Sequence, residues 1–134
     1  MSKKNENSSA EVYIISKIGW EYNDETYYRP ESEAGYPEMA FTIRELAIET
    51  CDEMNLKAFG ENLIGEDLYS YNEIISEDLL EQLSLDFNIS ELGGNGDYHI
   101  PSDNWEKLSK EDKFKLMREI GIDFFEVIKV SLVA

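Results

Sequence analysis

The chain holds one cysteine, one histidine and three prolines in 134 residues. A single cysteine, Cys51, excludes an internal disulfide and fits a reducing compartment. Cys51 and His99 together cannot assemble a zinc ligand set. Long apolar runs are missing too. "VYIISKI" is interrupted by Ser16 and Lys17, and no stretch approaches the ~20 apolar residues that span a bilayer. Bases are scarce, twelve Lys/Arg against 29 Asp/Glu, for a net charge of −17. Anionic membrane and nucleic-acid phosphate are both repelled by such a chain. These absences lead us to expect a cytoplasmic protein with no cofactor, no bound metal, no membrane partner and no direct nucleic-acid partner.

What is present is enough for a fold. Hydrophobic residues make up 42% and aromatic residues 12%, too many for a disordered acidic chain. The length suits one domain that buries roughly two-thirds of its unfolded surface. Residues 1–10 read as a flexible polar tail and 11–134 as a single α+β domain. Val12, Ile14, Ile18, Trp20 and Tyr22 share one parity and predict the buried face of a strand. Tyr13, Ile15, Lys17, Gly19 and Glu21 lie on the other, mixed face. Asn23-Asp24 supplies turn chemistry and Thr26–Arg29 a return strand, stopped by Pro30. A two-residue turn sets Trp20 opposite Tyr27; a three-residue turn sets Glu21 there instead.

"PESEAGYPE" reads as a loop. Thr42 with Glu45 matches a capping box, opening a helix with Ile43, Leu46, Ala47, Thr50 and Met54 as its apolar stripe and Gly60 as its stop. Ser76 caps a short helix bearing Leu79, Leu80 and Leu83. Asp103–Leu108 predicts a helical turn. Ser109 with Asp112 opens a helix with Phe114, Met117 and Ile120 inward and Gly121 as terminator. "DFFEVIKVSLVA" is β-forming. Val12–Tyr22 and Phe124–Val133 are expected to lie side by side in a small, mainly antiparallel sheet, formed by the N-terminal hairpin and the C-terminal strand and covered by helices.

Motifs for chemistry are few. There is no Gly-x-Ser-x-Gly elbow, His-Glu-x-x-His helix or Walker loop. Gly93–Asp97, "GGNGD", lacks the Lys-Ser/Thr ending of a phosphate loop and reads as loop. Asp86 to Asp97 mimics a calcium loop, but Glu91 stands where the sharp turn demands glycine. A Cys51–His99 nucleophilic pair is disfavoured, since Cys51 borders the apolar stripe of its helix. Paired carboxylates abound, yet nothing in the sequence marks one as desolvated.

Charge is unevenly spread. Residues 1–40 carry −4, residues 41–92 carry −11 and residues 93–134 carry −2. Glu45, Glu49, Asp52 and Glu53 fall within about one 100° sector of a helix, and like charges so spaced each cost a few tenths of a kcal/mol. This face reads as solvated surface or as a contact for a basic protein. Trp20, Tyr22, Tyr27 and Tyr28 read first as hairpin and core, and second as a tyrosine-rich contact edge.

"IGWEYNDETYYRP", with the helix that follows and the closing "FFEVIKVSLV", resembles a group of small bacterial proteins that share a Gly-Trp-Glu-Tyr-Asn-Asp-Glu-type hairpin. The resemblance covers the first fifty or so residues and the last ten. It implies a bacterial origin and no activity. The leading expectation is a non-enzymatic protein-binding module, such as an inhibitor, an immunity-type protein or an accessory factor, that meets a protein with a basic surface. The alternatives are a small carboxylate-based or metal-assisted enzyme, or a subunit of a larger assembly.

Overall fold

The computed structural model describes residues 10–24, 27–30, 35–65, 68, 75–87 and 99–133. Residues 1–9 of the expected tail, Glu25 and Thr26 of the hairpin, and Gly93–Asp97 lie outside these residues, and Ala10 already belongs to the first strand. The fold is α+β. Strand β1 (Ala10–Lys17) is followed by two short strands, β2 (Glu21–Tyr22) and β3 (Tyr27–Tyr28), and by β4 (Tyr36–Phe41). Helices α1 (Arg44–Asn62), α2 (Glu77–Asp86), α3 (Ser102–Lys107) and α4 (Lys110–Ile120) precede the last strand, β5 (Phe125–Leu132). The main sheet has the order β4-β1-β5 and is antiparallel throughout. β1 and β5 pair along their whole length, from Ala10↔Leu132 to Lys17↔Phe125, as their β-forming sequences require.

The N-terminal hairpin differs from expectation. β1 stops at Lys17, and β2 with β3 forms a separate two-stranded sheet in which Glu21 faces Tyr28 and Tyr22 faces Tyr27. The connection is therefore the four residues 23–26, longer than either turn considered. Asp24 has φ 75°, the left-handed backbone that an Asx residue tolerates. The third strand of the main sheet is β4, which begins inside the proline-rich segment read as loop. Pro37 is accommodated because β4 is an edge strand with a register irregularity opposite Ile15/Ser16.

Burial in and just after β1 does not follow one parity: Ser16 and Ile18 on the expected face are buried, and so is Ile15 on the other. Ile15 is fully buried, whereas Val12 and Ile14 are only half-buried. Ile15 lies on the face shared with Phe125 and Val127, and that is where α1 packs: its Asn55 binds the Phe125 backbone. The bend at 18–20 ends the alternation, so Tyr22 cannot be read in phase with Val12.

α1 enters directly from β4. Its N-cap is Ile43 (φ −107°, ψ 117°) with no side-chain cap bond, so the Thr42–Glu45 capping box does not form. The inward face is Ala47, Cys51, Asn55, Ala58 and Phe59, while Ile43 and Leu46 stay exposed. Gly60 does not stop the helix. It sits in the last turns, where an added Cβ would lie 3.4 Å from the Trp105 Nε1 of α3, so it gives that indole room to pack. The other caps follow the sequence. Ser76 Oγ accepts from Leu79 N, Ser109 Oγ accepts from Asp112 N, and Gly121 ends α4 in the left-handed conformation at φ 77°.

The ten largest fully buried side chains all belong to one cluster between the helices, except Ile15. Phe59 from α1 and Leu63 at its C-cap, Leu80 and Leu83 from α2, Trp105 from α3, and Leu116, Met117 and Ile120 from α4 meet in that core, with Leu68, Ile75, Ile100 and Ile122 from the connections. α1 thus has two jobs. Its N-terminal half lies on the sheet, and its C-terminal end enters the helical core.

Asn55 joins the two parts. It is buried; its Oδ1 accepts from Phe124 N and Phe125 N, both at 2.8 Å, and its Nδ2 donates to Phe125 O at 3.0 Å. Ile18 N donates to Phe124 O, but the bond is not returned, because Phe124 N goes to Asn55 instead. The asparagine amide occupies the place of a neighbouring strand. Asn55→Ala should cost roughly 2–4 kcal/mol, because it strands buried backbone donors. Denaturant unfolding checks this. Asn62→Ala, which loses a single bond to Ala58 O, serves as the mild control.

Candidate protein-interaction surface

The acidic sector of α1 points away from the sheet, and α4 crosses part of it. Glu53 pairs with Lys110 at 2.6 Å, and Asp52 with Arg118 at 3.6 Å. Phe114 stands between these cations, with Lys110 5.8 Å and Arg118 5.1 Å from its ring centroid. All four charged partners are substantially exposed, so each pair is worth about 0–1 kcal/mol. Their larger effect is to neutralise the C-terminal half of the sector. Glu49 and Glu45, one and two turns earlier, are exposed and form no ion pair among the described residues.

Beside those two glutamates lies apolar surface. Met39 of β4 is 43% exposed, and Ile43 and Leu46 at the start of α1 are 51% and 46% exposed. At 100° per residue, Leu46 and Asn55 are roughly 180° apart around α1. Asn55 is on the inward face, so Leu46 points outward to solvent, about one turn from Ile43 and from Glu49, while Met39 lies on the strand that leads into α1. Glu38, also exposed, lies on the same strand. The apolar stripe expected for α1 is in part this open patch.

The aromatic residues of the hairpin divide. Trp20 and Tyr27 pack against the helical core, and the indole Nε1 donates to Asp123 O at 2.9 Å. Tyr22 is 53% exposed and stacks on Tyr27 at 4.9 Å between ring centroids, tilted by 46°. Tyr28 Oη donates to Glu21 Oε1 at 2.9 Å. Arg29 pairs with Glu126 and ties the hairpin to β5. Both the hairpin and the acidic sector thus serve the fold in half of their members and reach solvent in the rest.

Cys51 is buried, and burial pushes its thiol up to about 11, with Asp52, Asp123 and Glu126 adding to the rise. Such a thiol is almost wholly protonated at neutral pH and is a poor nucleophile. His99 stands beside Ile100, which bridges Ile64 past the C-terminal end of α1. Cys51 lies eleven residues before that end, roughly 16 Å along the axis, so the two do not form a pair. Among the described residues, no group of three or more His, Cys, Asp or Glu is placed to hold a metal ion. Asp86 accepts from Gln82 Nε2 at 2.9 Å at the end of α2, and most of the calcium-loop mimic lies outside the described residues. No described helix is long and apolar enough to cross a membrane.

Among the described residues, Asp123 is the carboxyl clearly raised above its ordinary value of 3.8, first by burial and then by Asp52, against a lowering by Arg29, with Glu126 adding a little. A carboxyl raised by folding destabilises the native state once it ionises. The penalty is absent below pH 3.8, grows as pH rises through the folded value and is complete above it. Asp123→Asn is therefore expected to stabilise the protein at pH 7 and to change nothing at pH 3, as read from urea midpoints at the two pH values.

No family model matches the chain, and neither does any curated protein or solved structure.

Proposed function

We propose that the protein is a non-enzymatic binding module that engages a basic protein through the β4–α1 corner. The observation that carries this reading is the placement of exposed Met39, Ile43 and Leu46 beside Glu45 and Glu49. An apolar centre with a charged rim is the usual anatomy of a contact patch. The two glutamates keep a like-charge repulsion that α4 relieves for Asp52 and Glu53 but not for them. The net charge of −17 selects the partner: cationic proteins are steered in, while a second copy, an anionic lipid surface or nucleic acid is repelled. In a cytoplasmic, bacterial setting this is the behaviour of an inhibitor, immunity-type or accessory factor that masks a basic surface.

The test compares capture from one native extract by the wild type, by Glu45→Gln/Glu49→Gln and by Ile43→Ser/Leu46→Ser, with quantitative identification. All four changes lie at exposed positions, so the variants should remain folded. The expected result is a basic protein retained by the wild type and lost from both variants. With that protein purified, the glutamine variant should show an on-rate several-fold lower and a flatter salt dependence. Equal retention by all three chains, or retention of acidic partners alone, overturns the reading.

A further inference from the structure

Two contiguous hollows, about 360 and 460 Å³, run along the seam between the C-terminal half of α1 and the end of β1. They share Lys17, Glu61, Asn62 and Phe124, and so form one groove. One half is walled by Trp20, Tyr27, Ile18 and Gly19, and the other by Lys57, Met54, Ala58 and Phe125. Its volume is that of a small-molecule site.

Charge sets this groove apart from the rest of the molecule. Lys17 and Lys57 line it and, like Arg44, Lys107, Lys113 and Lys115, form no ion pair among the described residues, whereas Arg29, Lys110, Arg118 and Lys129 each have a carboxylate partner. With Glu61 as the groove's one acid, the lining carries +1 in a chain of −17. The aromatic half is preorganised, since the Trp20 indole is pinned to Asp123 O and Asn62 Nδ2 to Ala58 O at 2.8 Å.

We infer that this groove binds a small aromatic monocarboxylate, with its ring between Trp20, Tyr27 and Phe124 and its carboxylate between Lys17 and Lys57. Lys17 lines both halves, which places the charge of such a ligand at their junction. Aromatic walls accept a planar ring by offset or edge contacts. One negative charge matches the local balance. A multiply charged anion such as a nucleotide meets Glu61 and the field of the whole chain and is rejected.

The experiment is an NMR titration of the full chain with 2-naphthoate, 2-naphthylmethanol and adenosine 5′-monophosphate as probes. Saturable shifts are expected from 2-naphthoate at the Trp20 indole N–H and at the Gly19 and Phe124 amides. Lys17→Met/Lys57→Met should weaken 2-naphthoate at least ten-fold and leave the neutral alcohol unchanged. Should that variant fail to fold, Lys57→Gln alone, at an exposed position, should lose several-fold. Non-saturable shifts, equal 2-naphthoate affinity in the lysine variants, or nucleotide binding as tight as 2-naphthoate would each overturn the assignment.

Discussion

The amide of Asn55 is the contact on which the arrangement of this molecule turns. The helical core and the three-stranded sheet share little apart from α1, and Asn55 is where α1 takes hold of β5. Its carbonyl oxygen receives two backbone amides and its nitrogen returns a bond to the same strand. A leucine there would bury more apolar surface, yet leave Phe124 and Phe125 without partners in a part-buried position. A buried amide costs free energy unless it is fully bonded, and fully bonded it specifies one docking geometry. Register between helix and sheet is therefore set by hydrogen bonds, whereas the core between the helices is set by close packing.

The uneven charge of the chain has a partial explanation inside the fold. The acidic middle of the sequence supplies α1, and the nearly balanced end supplies α4 with its lysines and Arg118. Folding lays one across the other, so Asp52 and Glu53 meet bases that lie 66 and 57 residues later in the chain, respectively. Glu45 and Glu49 lie beyond the reach of α4 and keep their charge unrelieved. Their cost to the fold is small, and their exposure beside Met39, Ile43 and Leu46 is what makes that corner suited to a cationic partner.

Much of this was legible in the sequence wherever local chemistry dominates. Ser76, Ser109 and Gly121 mark helix ends because each needs only its neighbours within four residues. β1 and β5 are legible because their β-branched runs have no other stable use. The failures are tertiary. β4 hides behind Pro37 and Gly35, since tolerance of proline depends on the strand being an edge. The buried face of β1 is decided by the side on which α1 lands, which parity alone cannot state. Asn55 gave one faint signal, a polar residue eight positions after Ala47 and four after Cys51 in a buried stripe. The groove joins Lys17 to Lys57 across the seam between strand and helix, a proximity that no spacing records.

Native-state hydrogen exchange at the Phe124 and Phe125 amides tests most directly whether Asn55 makes the sheet and the helical core one cooperative unit. Both amides should exchange only through global unfolding, with the same opening free energy as the Leu116 and Ile120 amides of α4. Exchange at Phe124 and Phe125 through a separate, low-energy opening, while α4 stays protected, would contradict it.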